Sequence, residues 1–150
     1  MKSFLHRIFG NLLTFKTKPQ KFRTTFLNRE KSVLVNRQLS VLMEEKQPFL
    51  IENYSLKDLA DELDMHPYQL SSFLNREIGM NFHNYLNQFR VKHCKKLIEQ
   101  GATQQLNLKG LASKCGFHNR NTFTSAFKKF TNYTPIEYIK RFHNYNYYNN

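Results

Sequence analysis

The sequence is short of cysteine, of acidic residues and of long apolar runs, and each shortage excludes a class of protein. Only two cysteines occur in 150 residues, Cys94 and Cys115. They form neither a zinc-ligand spacing nor a disulfide framework, which points to a reducing, cytoplasmic setting. No apolar stretch approaches the roughly 20 residues that a membrane-spanning helix needs. The N-terminal LHRIFGNLLTF is interrupted by charge and followed by more charge, unlike a secretory leader. No Ser/His/Asp grouping, metal-ligand cluster or phosphate-binding loop is present, so no catalysis, cofactor or metal is expected. Acids number 11 against 23 Lys and Arg, for a formal net charge of +12. That imbalance favours a polyanionic partner, nucleic acid first and an anionic membrane second.

The charge is uneven along the chain. Residues 1–31 carry +7, residues 55–80 carry −3, and residues 101–130 carry +5 with no acid at all. In the first of these, Phe4, Leu5, Ile8, Phe9, Leu12 and Leu13 recur at helical spacing. Three readings stand level for this basic arm: an amphipathic helix on a membrane surface, a helix docked on the protein, or a disordered arm gripping phosphates. Residues 32–46 read as a helix with Val35, Leu39, Leu42 and Met43 inward and Ser32 as a possible cap. The organisation expected is an arm over 1–31, a first unit with a linker helix over 32–101, and a second unit with a tail over 102–150.

The most informative stretch is GFHNRNTFTSAFKKFTNYTPIEYIKR, residues 116–141. Phe123, Ala126, Phe127 and Phe130 make one apolar stripe, so a helix over 119–130 buries that face. Its other face shows Arg120, Asn121, Thr124, Ser125 and Lys128, side chains that can bond base edges or phosphates. Upstream, NLKGLASKC (107–115) is a short helix with Leu108, Leu111, Ala112 and Cys115 on one side, and Gly116-Phe117-His118 is a turn. Helix, short turn and second helix with a polar outer face is a helix-turn-helix pattern, although a plain helical hairpin fits the periodicity equally well.

An internal repeat favours the first reading. SLKD at 55–58 is a capping box opening a helix with Leu56, Leu59, Ala60 and Leu63 inward. Asp64-Met65-His66 is a turn, and Pro67 opens a helix with Leu70, Phe73, Leu74 and Ile78 inward. Tyr68, Gln69, Ser71, Ser72, Asn75 and Arg76 face outward, and Gly79 ends it. Ser55-Leu56-Lys57 and Leu59-Ala60 match Asn107-Leu108-Lys109 and Leu111-Ala112 at an offset of 52; Leu70, Leu74 and Tyr85 match Phe123, Phe127 and Tyr138 at 53. A generic bundle has no need of two copies of one hairpin. Between the copies, residues 80–101 form a long helix that would hold two reading helices about one turn of B-DNA, roughly 34 Å, apart. Arg90, Lys92, Lys95 and Lys96 on it are candidate phosphate contacts. His93 reads as a packing residue, and residues 142–150 as a fraying terminus.

With these motifs in hand, residues 50–142 resemble the DNA-binding module of the AraC/XylS family of bacterial transcription regulators. The most specific element is the Gly-Phe pair, the two spaced Phe, Phe-Lys-Lys, Thr-Pro and Tyr of residues 116–138. The resemblance implies an all-α fold of about seven helices, in which two helix-turn-helix units read successive major-groove segments of double-stranded DNA. It places Tyr68, Gln69, Ser71 and Ser72, and in the second unit Arg120, Asn121, Thr124 and Ser125, against the bases. Asn75, Arg76, Arg90, Lys95, Lys128 and Lys129 are the expected phosphate contacts. Asn132 stands where the family usually has Gly, Ile139 where a basic residue is usual, and Gly110 weakens its helix. RNA polymerase is a candidate second partner, and membrane contact by the arm stays open. Residues 1–31 are too short for a sensing domain, so a standalone module and the cytoplasmic DNA-binding tail of a larger sensor both fit.

Overall fold

The computed structural model describes residues 29–148, with side chains through residue 144. The arm expected over residues 1–31 therefore lies almost wholly outside the described residues. Among the described residues seven α-helices follow one another and no strand occurs. They are α1 (Arg29–Glu45), α2 (Leu56–Glu62), α3 (Pro67–Phe73), α4 (Phe82–Glu99), α5 (Leu108–Lys114), α6 (Arg120–Thr131) and α7 (Pro135–Tyr148). Single 3-10 turns, Pro48–Leu50 and Ala102–Gln104, follow α1 and α4.

Two expectations about ends are corrected. Helix α1 already includes Arg29, so Ser32 lies inside it and is not a cap. The last helix continues to Tyr148 where fraying was expected from residue 142.

The repeat holds at the level of single backbone bonds. Both short first helices, α2 and α5, end in a left-handed residue, Asp64 at φ 52° and Gly116 at φ 78°. The next amide then reaches back five residues: Met65 N–H to the Ala60 carbonyl at 2.9 Å, and Phe117 N–H to the Ala112 carbonyl at 3.0 Å. These bonds satisfy helix-end carbonyls that would otherwise lack partners. The second helices start one residue out of step. His66 caps α3 by accepting from Tyr68 N–H, and Asn119 caps α6 by accepting from Thr122 N–H. In the first unit α3 widens into a π-turn, Leu74–Ile78, before stopping. Left-handed residues recur at the far ends, Gly79 at φ 76° and Asn132 at φ 63°. Asn tolerates this conformation through local hydrogen bonding, which explains how it replaces the family's glycine. The third helices, α4 and α7, are again capped alike, by Asn81 and by a Thr134–Glu137 capping box.

Helix α4 serves both copies. Phe82, Tyr85 and Leu86 on its first half complete a core with Leu39, Met43, Leu59, Leu70 and Leu74. Val91, Cys94 and Ile98 on its second half complete another with Leu111, Phe117, Phe123 and Phe127. The second core is aromatic: Phe117–Phe123, Phe123–Phe127 and Phe127–Tyr138 stand 5.2, 5.7 and 5.4 Å apart between ring centres. Such pairs add about 0.5–1.5 kcal/mol each beyond the area they bury. Cys94 and Cys115 are both fully buried here, and the neighbouring Cys115 thiol together with burial pushes the Cys94 thiol up.

The segment linking α1 to α2 is fastened at both sides. Glu62 accepts from Lys46 Nζ at 2.6 Å and from Tyr54 Oη at 2.8 Å, joining α1, the segment and α2. Burial, added to by contact with Glu62, raises the Tyr54 phenol above its usual range.

Candidate nucleic-acid interface

The two reading helices leave polar faces outside the cores. On α3, Tyr68 is 59% exposed, Gln69 is exposed, and Ser71 and Ser72 are half-buried. Asn75 and Arg76, in the π-turn, are exposed, and Asn75 donates to the Ser71 carbonyl at 2.8 Å. On α6, Arg120, Asn121, Ser125, Lys128 and Lys129 are exposed and Thr124 is half-buried. The apolar stripe expected of α6 is the buried one, with Phe123 and Phe127 at 0% exposure and Phe130 half-buried. Arg120 occupies the first position of α6 beside its Asn119 cap.

The repeat identifies a position that periodicity missed. At the offset of 53, Asn121 matches Tyr68, Thr124 matches Ser71 and Ser125 matches Ser72. Gln69 matches Thr122, which is exposed on α6. Arg120 matches Pro67, so the first unit has no counterpart of its guanidinium.

Arg90 is not where a phosphate contact must be. It is 7% exposed. Its Nε donates to the Phe49 carbonyl at 2.7 Å and its Nη2 to the Ile51 carbonyl at 2.9 Å, while the guanidinium lies 5.5 Å from the Phe117 ring centre. The fork of donors satisfies carbonyls of the segment after α1, so Arg90 is a structural cation held between the two cores. Of the other basic residues on α4, Lys92 and Lys96 are exposed, and Lys95 is half-buried with its ammonium 5.6 Å from the Tyr138 ring centre. His93 is half-buried with its ring 6.0 Å from that of Phe49, and burial lowers its pKa. At the end of α6, Lys129 donates to the Asn84 side chain at 2.9 Å. Cations there also suit the negative end of the helix dipole.

Two capped hairpins of one design, each turning a polar helix face outward and sharing one long helix, define a double helix-turn-helix protein. A family model described as a helix-turn-helix domain matches residues 59–141, more than half of the chain. The chain belongs to the AraC-type helix-turn-helix family. An uncharacterized helix-turn-helix transcriptional regulator, YijO of Escherichia coli K12, is 31% identical over 87 residues, which cover 58% of this chain and 30% of that protein. The transcriptional activator RhaR of Yersinia pseudotuberculosis is 28% identical over 100 residues, covering 67% of this chain and 33% of its own. The C-terminal domain of the response regulator yesN from Fusobacterium nucleatum superposes with a TM-score of 0.57 at 27% identity, covering 69% of this chain and 98% of that domain. The chain thus spans about a third of the length of these curated relatives. No helix among the described residues is long and apolar enough to cross a membrane.

Proposed function

We propose that this chain acts in the cytoplasm as a sequence-specific transcription regulator, reading two successive major-groove segments of one face of DNA. The observation that carries this is the pairing of two equivalent polar helix faces left outside the cores, Tyr68/Gln69/Ser71/Ser72 and Asn121/Thr122/Thr124/Ser125, on one repeat. Affinity comes from Lys and Arg neutralising phosphates, and it falls with salt. Specificity comes from side chains at base edges. Arg120 suits guanine O6 and N7, and Asn121 or Gln69 suits the N6/N7 edge of adenine. The second unit supplies more of the phosphate attraction, because residues 101–130 carry five basic residues and no acid whereas residues 55–80 are net acidic.

Selection of bound duplexes from a randomised DNA pool tests this reading. Two preferred segments separated by about one helical turn, 10–10.5 base pairs, are expected. A single segment, or binding with no base preference, would overturn it.

A further inference from the structure

The two reading units touch each other directly, as well as through the helix they share. The seat is the segment after α1, residues 48–52, which belongs to the first unit's core through Phe49. Three contacts converge on it. Arg90, midway along α4, donates to the carbonyls of Phe49 and Ile51. The turn of the second unit is pressed onto the same peptide: a Cβ placed on Gly116 would lie 2.3 Å from the Phe49 oxygen and 2.9 Å from Leu50 Cα. Next in the turn, His118 Nδ1 lies 3.5 Å from the Glu52 carboxylate.

The repeat shows that this contact is specific to the second turn. The equivalent left-handed position in the first unit is Asp64, whose side chain is exposed. Left-handed geometry alone therefore does not demand glycine in this fold; the approach of the Phe49 carbonyl does. Shared packing on α4 connects the units along one line. The seat packs on α4 through Phe49 against Phe89 and His93, and adds a direct contact between the units beside that helix, which opposes bending and twisting of one unit against the other.

We infer that residues 48–52, clamped by Arg90 and closed against Gly116, set the separation and rotation of the two reading helices, and so make the protein selective for the spacing between its two DNA segments. Arg90 and Gly116 are positioning residues in this scheme and touch no DNA. The inference rests on the two-segment reading proposed above. A rigidly preset pair gains from binding both segments at one spacing only, whereas a loosened pair binds more weakly there but tolerates others.

The test uses the full chain and a duplex recovered by the wild type from a randomised pool, with one, three or five base pairs inserted between the two preferred segments. Five inserted pairs turn one segment to the opposite side of the duplex and should weaken wild-type binding about 100-fold. Gly116→Ala should bind the unaltered duplex more weakly, but its penalty for the same insertion should fall to about tenfold or less. Arg90→Lys, which keeps the charge and loses the fork, should move the same way and replaces Gly116→Ala if that variant does not fold. A contact that only stabilises the fold would lower affinity by one factor at every spacing, leaving the penalties equal, and that result overturns the inference. Amide-nitrogen relaxation without DNA gives a second readout: the two units should move as one body in the wild type and show added motion relative to one another in the variants. Recovery of no two-segment duplex by the wild type would instead overturn the underlying reading, and this relaxation experiment would still decide the coupling.

Discussion

Lys129 Nζ lies 2.9 Å from the Asn84 side-chain oxygen, tying the last turn of the second reading helix to the first turn of the helix that both units share. Its neighbour Lys128 is exposed one position earlier on α6. The two lysines therefore should not be equivalent toward DNA. Lys128→Ala should weaken binding to all sequences and lower the slope of log affinity against log salt by about one unit. Lys129→Ala should change that slope by less. Salt titrations of both variants on one duplex check this, and equal slopes would show that the Asn84 contact is given up when DNA binds.

Arg120 opens α6 and has no counterpart in the first unit. Reading helices present their N-terminal residues to base edges. Arg120→Ala is expected to relax preference at one base position, costing about 1–3 kcal/mol of discrimination there, with nonspecific affinity nearly intact. Selections over randomised DNA with wild type and variant would show it. A uniform loss with unchanged preferences would place Arg120 on a phosphate.

Gly110 lies in the first turn of α5 without a left-handed backbone. A Cβ there would meet Leu106 Cδ2 at 3.4 Å and Asn107 Oδ1 at 3.5 Å, ordinary contact distances. Gly110→Ala should therefore stabilise the protein by about 0.5–1 kcal/mol, the helix-interior cost of glycine. Urea unfolding measures it, and a loss of stability would mean that Leu106 cannot give way.

Two caps make stability depend on acid. Hydrogen bonds from the Ser55 side chain and backbone hold Asp58 below its ordinary 3.8, and those from the Thr134 backbone and side chain hold Glu137 below its ordinary 4.5. A depressed folded value means that the carboxylate stabilises the fold above the ordinary value. This contribution is lost as pH falls through the folded value. Asp58→Asn with Glu137→Gln should melt earlier than wild type at pH 7, and the gap should close as pH falls from 4.5 to below 3.8. Thermal melts across that range decide it, and a constant gap would assign the difference to something other than charge.

Much of this fold was legible in local spacing. The capping box opened by Ser55, the turn at Asp64, the stop at Gly79, and the stripes of α3 and α6 all act within a few residues of their partners, where periodicity and turn chemistry operate. Arg90 was misread for the opposite reason. It looked like one of four basic residues on an outward stretch, and only a segment 41 positions upstream, folding across α4, buries it. No local pattern signals such a crossing. The base-facing assignments came from the repeat and the family resemblance, and the repeat contained one more position, Thr122, which the offset from Gln69 would have revealed. Ser32 misled because a good capping residue can also sit inside a helix.

The buried thiol pair gives the second unit a chemical clock of its own. The chain's only two cysteines, Cys94 and Cys115, both lie in the second core at 0% exposure, so the first core offers an alkylating reagent nothing to modify. Labelling can proceed only when the second unit opens, and its rate under native conditions reports the free energy of that opening alone. Where ordinary melting curves blend two near-copies of one hairpin, alkylation would tell whether the half bearing Arg120 and Lys128 opens before the rest of the molecule.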